Sequence, residues 1–534
     1  MPILTTSSIP ALLCDFYKVS HKNQYPKGTE VIYSTLTPRT NKYAPKVMGQ
    51  KIDYGVSFGF QYLIQKYLID FFNENFFNKE KERVISQYSQ FIKETLGVDD
   101  NGYHLAELHD LGYLPLRIKV IPEGTKVAIK VPVMTIENTD NRFYWLTNYF
   151  ETLISCTTWQ PMTSATIASG YLDIVKWYSN RTCDNDSHIP FQCHDFSMRG
   201  MSSLESAELS GLGHLISFVG TDTIPAITAA KHYYGATGLV GTSIPATEHS
   251  VMSSHGMNEV ETFNFLLDLY PSGIFSVVSD TYDFWGNITK TLPELKDKIM
   301  NRDGKLVIRP DSGDPVEILC GIDTSELFKF NSKEEALKET DCYSEDYILI
   351  NNKIHKVTQD FGEVVFEDIS HLPETKGLIQ CLWEIFGGSI NSKGYAVLDS
   401  HIGAIYGDSI TLERAAEILD RLMKKHFASS NIVFGIGSYT YQYVTRDAFG
   451  FAVKATSAII NGKEQMIFKD PKTDTGMKKS QKGRVKVISN TEYVDQLSKG
   501  EDEDGLLTVL FENGKLFYTS FDKVKENLNN SSVN

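Results

Sequence analysis

From about residue 190 the chain repeats one pattern: a short β-like run, a polar or glycine punctuation, then an amphipathic helical stretch. The runs are PFQCHDF (190–196), LISFVGTD (215–222), GTSIPATEH (241–249), FSVVSD (275–280), LVIRPDSG (306–313), GAIYGDS (403–409) and NIVFGIGS (431–438). Between them lie segments such as NEVETFNFLLDLY (258–270) and TLERAAEILDRLMKKHF (411–427), whose apolar residues recur at helical spacing. In the second, Leu412, Ala415, Ile418, Leu419, Leu422 and Met423 form one stripe, which Thr411 or Ser409 can cap. Seven β-then-α units predict a (β/α) barrel, whose chemistry sits at the C-terminal ends of its strands. That rule selects Asp195, Asp222, His249, Asp280, Asp311, Asp408 and Gly437.

The rest of the chain keeps a different rhythm. FGFQYLIQKYLIDFF (58–72) and RFYWLTNYFETLI (142–154) read as helices, while LRIKVIPEGTKVAIKVPVMTIENT (116–139) alternates like strands around a Pro-Glu-Gly turn. Residues 315–375 break the barrel pattern with an acidic helical stretch and a hairpin, and are expected to be a surface insertion. After about residue 440 the chain is strand-like and basic, and its Gly/Lys loop at 469–487 is a candidate for gripping phosphates. The expected division is 1–165, a barrel over 166–440 with the insertion at 315–375, and 441–534.

At 534 residues the chain exceeds what one hydrophobic core supports, so two domains or one large composite body are expected. A net charge of −15 argues against broad nucleic-acid or membrane-surface binding, so an anionic substrate needs local basic pockets. Seven scattered cysteines without a CxxC pair read as reduced thiols, and no secretion signal or long apolar run is seen. A cytoplasmic protein fits these observations.

Familiar motifs exclude several chemistries. There is no GxxxxGK[ST] phosphate loop, no HExxH or CxxC metal pattern and no GxSxG nucleophile elbow, and no protein-bound metal is expected. His249 and His255 do not have a standard ligand spacing. What remains at the strand ends is a set of carboxylates, arginines, glycines and one aromatic residue. Taken singly, each has a structural explanation: Asp311 and Arg199 as ion pairs, Phe196 as core, His249 as a satisfied loop histidine. Together they suit a phosphorylated sugar and a flat ring, since carboxylates accept from hydroxyls and arginines fork onto phosphates. Two other classes stay open at this point: a barrel hydrolase using Asp311 and Asp408 as acid and base, and a non-catalytic binding protein on the same scaffold.

Nine stretches, in order and nearly end to end, then carry a likeness: CDFYKVSHKNQYP (14–26), HDFSMRGMSS (194–203), FVGTDT (218–223), PATEHS (245–250), SVVSDTYD (276–283), IRPDSGDP (308–315), YGDS (406–409), VTRD (444–447) and FKDP (468–471). The sequence resembles the nicotinamide phosphoribosyltransferase family, of the type II phosphoribosyltransferases. The resemblance implies a homodimer, each chain a barrel plus a mixed α+β domain built from both chain ends, with active sites at the dimer interface. It implies transfer of phosphoribosyl from phosphoribosyl pyrophosphate to nicotinamide, with Mg²⁺ carried by the substrate and ATP as an activating co-substrate. Nicotinate phosphoribosyltransferase is the alternative, the same chemistry on the acid.

The same resemblance implies roles for individual residues. Phe196 stacks on one face of the pyridine and Tyr17 of the partner subunit on the other, Asp222 accepts from the carboxamide, and Arg309 lies beside the ring. Asp311 and Asp408 hold ribose hydroxyls, with Gly407 beside them; Gly437 and Ser438 take the 5′-phosphate, and Arg199 borders it. Arg39, Arg446, Lys454 and Lys469 serve the pyrophosphate. His249 matches the phosphorylated histidine, with Asp280 as its expected hydrogen-bond partner. Three departures from the family pattern stand out: Gly435-Ile-Gly-Ser-Tyr439 where a turn closer to GSGGG is usual, Ser-Met in HDFSMRG where Gly-Tyr is expected, and Thr247 where Ala is usual.

Overall fold

The computed structural model describes residues 9–360, 363–468 and 481–533. Six parallel strands lie in the spatial order Ser272–Val278, Asp303–Arg309, Ile402–Tyr406, Ile432–Ile436, Cys193–Asp195, Gly220–Thr221. The seventh unit closes the ring, although it never forms a regular strand. Gly220 bridges Thr242 on one side and Ala246 bridges Ser276 on the other, both parallel. Pro245 explains the weakness: it has no N–H to donate, and only its carbonyl joins the ladder, accepting from the Ser276 amide at 2.9 Å. The result is the expected (β/α) barrel, with strand interiors such as Val277, Ile308, Ala404 and Phe434 buried.

The expected outer helices are present. Leu412–Lys424 buries Leu412, Ala415, Ile418, Leu419 and Leu422, and the Thr411 hydroxyl accepts the Arg414 amide at its start. Asn258 caps Glu259–Leu269 in the same way.

A second, antiparallel sheet joins the two chain ends. Its order is Lys463–Met466, Ala452–Ile460, Thr29–Thr37, Met134–Asn138, Leu116–Val120, Thr508–Glu512, Lys515–Leu516. The 116–139 stretch forms strands around its Pro-Glu-Gly turn, but Lys126–Ala128 pairs separately with Tyr54–Val56. The helix Glu151–Thr182, 32 residues long, leads from this sheet to the barrel and includes residue 165.

The interval 315–375 divides in two. Pro315–Cys320 is a helix with Val316, Leu319 and Cys320 buried in the main core, so the extra layer starts only after Gly321. Beyond it, Lys329–Phe330, Tyr347–Ile350, Lys353–Asp360 and Glu363–Asp368 form a four-stranded sheet rather than a lone hairpin. That sheet has its own small core of Ala336, Cys342, Ile348, Ile350 and Phe366.

Candidate active site

The C-terminal strand ends converge on one mouth. Phe196 follows Cys193–Asp195, and its amide donates to the Ile436 carbonyl at 2.9 Å, which fixes the ring between neighbouring strand ends. The ring lies across Gly435: a Cβ there would run into it and stand 2.7 Å from the Gly407 Cα. A Cβ on Gly407 would meet Asp311 Oδ1 at 3.2 Å and the Phe196 ring at 3.4 Å. Gly407 therefore has the Asp311 carboxylate and the Phe196 ring on its side-chain face, and Gly435 is required by close approach rather than by an unusual dihedral.

Asp222 sits exposed at the end of Gly220–Thr221, its amide donating to the Asp195 carbonyl at 2.9 Å and its carboxylate accepting from Ser243. Asp195 itself is fully buried and holds the Ser197 amide at 2.9 Å. His194, edge-on to Phe196 with centroids 6.0 Å apart, is pushed down to about 4 by burial and by the nearby His214, so it is neutral near pH 7. Arg309 ends its strand half-buried, and Asp408 is exposed and accepts from the Ser409 hydroxyl at 2.7 Å. Gly437 opens the short helix Ser438–Gln442, and the Arg199–Gly200 turn packs against the Ser438 side chain.

One expectation needs correction. Asp280 is not the hydrogen-bond partner of His249: its Oδ1 stands 3.9 Å from Nε2, an ion-pair separation. The other carboxylate oxygen is committed to the next strand end, accepting from the Asp311 amide at 2.9 Å and the Ser312 hydroxyl at 2.6 Å. His249 Nδ1 instead meets the Thr281 hydroxyl at 3.1 Å. Among the described residues Oδ1 of Asp280 has no hydrogen-bond partner, although it is buried on a side chain only 4% exposed, while His249 is 50% exposed. His255 caps the end of the same short helix and packs at a tilt against Phe265, centroids 4.9 Å apart.

Sequence reasoning missed Thr281, Ser312, Ser243 and Tyr406. The Tyr406 hydroxyl donates toward the Ser312 and Gly313 carbonyls at 3.0 and 2.9 Å and so clamps the turn that presents Asp311. Burial raises its phenol, and Asp408, Asp280, Asp311 and Asp314 raise it further, which marks the floor of the mouth as acidic. The only sequence signal for Thr281, Ser312 and Tyr406 is adjacency to residues already selected, and Ser243 has only its place in the GTSIPATEH run.

A second group lies on the α+β part of the chain. Tyr17 is 57% exposed beside Lys18, and Lys454 reaches Glu151 at 3.4 Å across a cavity of about 410 Å³. Arg39 donates to the Gly450 carbonyl at 3.1 Å, and its guanidinium is lowered by burial and then by the neighbouring Arg446. Among the described residues no hydrogen bond or ion pair joins Tyr17, Arg39, Arg446 or Lys454 to the barrel mouth. Lys469 and most of the Gly/Lys loop lie outside the described residues.

A model described as the nicotinate phosphoribosyltransferase (NAPRTase) family matches residues 191–503, and one described as the nicotinamide phosphoribosyltransferase N-terminal domain matches residues 10–118. A nicotinamide phosphoribosyltransferase of Acinetobacter baylyi is 45% identical, covering 97% of this chain and 97% of its own. The chain belongs to the nicotinamide phosphoribosyltransferase family. It is an enzyme, a pentosyltransferase. A second relative, from Mycoplasma pneumoniae, is 33% identical over 87% of this chain and 92% of its own. The fold is shared with a nicotinate-nucleotide pyrophosphorylase from Pyrococcus furiosus at a TM-score of 0.52, 13% identity, and coverage of 99% and 96% of the two chains.

Against the family pattern, Thr247 has a local structural use: its hydroxyl accepts the Val278 amide at 2.9 Å and ties the irregular seventh unit to its neighbour. Tyr439, at the end of the Gly435–Tyr439 turn, stacks on Tyr443 at 5.0 Å on the protein surface.

Proposed function

We propose that this enzyme transfers the phosphoribosyl group of phosphoribosyl pyrophosphate to nicotinamide, giving nicotinamide mononucleotide and pyrophosphate in NAD salvage. The observation that supports the reading is the mouth itself: the Phe196 ring and the Asp311 carboxylate both beside Gly407, and the Asp222 carboxylate exposed at the next strand end. The lone pair of the pyridine nitrogen attacks the anomeric carbon as the bond to the pyrophosphate oxygen breaks. No proton has to be removed, so orientation and charge complementarity supply the catalysis. Asp311 and Asp408 hold the ribose hydroxyls. Gly437, Ser438 and Arg199 receive the 5′-phosphate. Carried by phosphoribosyl pyrophosphate rather than by protein ligands, Mg²⁺ would supply charge neutralisation on the leaving pyrophosphate.

Asp222 gives the selectivity. A carboxylate accepts from the carboxamide N–H₂ but repels the carboxylate of nicotinate, which disfavours the acid. Two copies of the chain are proposed to complete each mouth, with Tyr17 of the partner subunit covering the base. Arg39, Arg446, Lys454 and Lys469 then meet the pyrophosphate. Arg39 and Arg446, two like charges held close together, suit such an anion.

ATP is proposed to act through His249, whose neutral imidazole takes the γ-phosphoryl group and releases ADP. Asp280, facing Nε2, favours the proton there and leaves Nδ1, beside Thr281, as the nitrogen that bonds to phosphorus. The deciding experiment incubates the protein with nicotinamide, phosphoribosyl pyrophosphate and Mg²⁺, with and without ATP. Mononucleotide is expected in both and more of it with ATP; no product in either overturns the reading. His249→Ala should abolish the ATP stimulation while nicotinamide still binds.

A further inference from the structure

Glu151 opens the long helix Glu151–Thr182 and lies between two lysines that are remote in sequence. Its Oε2 is bonded to Lys18 Nζ, on a side chain only 3% exposed, and its Oε1 stands 3.4 Å from Lys454 Nζ, on a side chain 46% exposed. The next residue continues the arrangement: the Thr152 hydroxyl accepts the Asp15 amide at 3.2 Å and donates to Asp15 Oδ2 at 2.8 Å. Lys18 Nζ in turn lies 5.1 Å from the centre of the Tyr17 ring. The first turn of one helix therefore holds both the segment that carries Tyr17 and the strand that carries Lys454.

The two contacts differ in kind. Lys18 is buried and needs a counter-charge, so its pairing with Glu151 is fixed. Lys454 is half exposed at a looser separation, so its ammonium keeps capacity for an anion in the adjoining cavity. From this geometry we infer that Glu151 is a positioning residue. Anchored by Lys18, it presents Lys454 to the pyrophosphate and ties that contact to the Tyr17 segment. The inference rests on the proposed reaction. It adds that the base-covering and pyrophosphate contacts contributed by one subunit are mechanically joined.

The test measures kcat and KM in the full-length protein for Glu151→Gln, Lys454→Met and their combination. Glu151→Gln is expected to raise the KM for phosphoribosyl pyrophosphate about tenfold with kcat changed far less. The combined variant should be no worse than Lys454→Met alone, because residues acting through one contact are not additive. Glu151→Asp should restore part of the loss. Glu151→Gln strands the buried Lys18 charge, so Lys18→Met/Glu151→Gln, which leaves no buried charge, is measured beside it and should show the same rise. An unchanged KM in that neutral pair, or a combined variant with multiplied effects, overturns the inference. Absence of product from the unmodified protein would instead overturn the proposed reaction.

Discussion

Glu123 is 2% exposed, and one of its oxygens accepts the Phe60 and Gln61 amides at 2.5 and 3.1 Å, satisfying the start of the Phe60–Leu63 turn. Burial pushes its carboxyl up to about 7, against an ordinary value near ~4.3 for an unfolded chain. A raised folded pKa means that the native state binds the proton more tightly. Its stabilising effect is present below the unfolded value and is lost as pH rises toward 7. Glu123→Gln keeps the acceptor oxygen and removes the charge, so thermal unfolding should show a higher midpoint than wild type at pH 8 and little difference at pH 4. Equal midpoints at pH 8 would exclude a strained carboxylate. At the mouth, Asp222→Asn removes the charge opposed to nicotinate, and the ratio of kcat/KM for the two bases should fall at least ~10-fold. An unchanged ratio means that Asp222 does not face the ring substituent.

At the scale of elements, strand ends do the positioning, and their spacing leaves little room. Gly435 ends a strand where the Phe196 ring and the Gly407 backbone both crowd the space a Cβ would occupy. Gly435→Ala should displace the ring and weaken nicotinamide use ~10- to 100-fold while the barrel still folds. Steady-state kinetics beside circular dichroism would separate the two effects. Most elements were legible because their signals are local. Helical stripes, Thr411 as a cap, and strand-then-turn spacing all lie within a dozen residues. The exceptions have physical causes. The GTSIPATEH run carries Pro245 and makes only single bridges, and Pro315–Cys320 joined the main core because its apolar residues meet the helices Leu378–Phe386 and Leu412–Lys424.

At the scale of the molecule, Arg484 holds distant parts of the chain together. It is 2% exposed, pairs with Glu137 at 2.5 Å and Asp502 at 3.1 Å, and lies over the Tyr33 ring at 4.5 Å. Arg484→Ala strands the buried Asp502 carboxylate, leaves Glu137 only its looser pair with Arg117 at 3.8 Å, and should cost ~3–5 kcal/mol in denaturant unfolding. The insertion should behave in the opposite way. Its ends meet where the Ile322 amide donates to the Thr375 carbonyl at 3.2 Å, and its core is its own. Replacing residues 323–374 with a short loop should therefore leave a folded, active enzyme, and loss of folding would show that the layer supports the barrel.

By itself the sequence determined the β/α rhythm, the strand-end positions of Asp222, Asp311, Asp408 and Gly437, and the family likeness, because periodicity and turn chemistry are properties of neighbouring residues. Only the tertiary structure decided that Thr29–Thr37 pairs with Ala452–Ile460 and that Thr281, not Asp280, meets His249. It also decided that Glu151 joins lysines 133 and 303 positions away. Such contacts depend on how separate segments pack, and no local pattern in the chain encodes them.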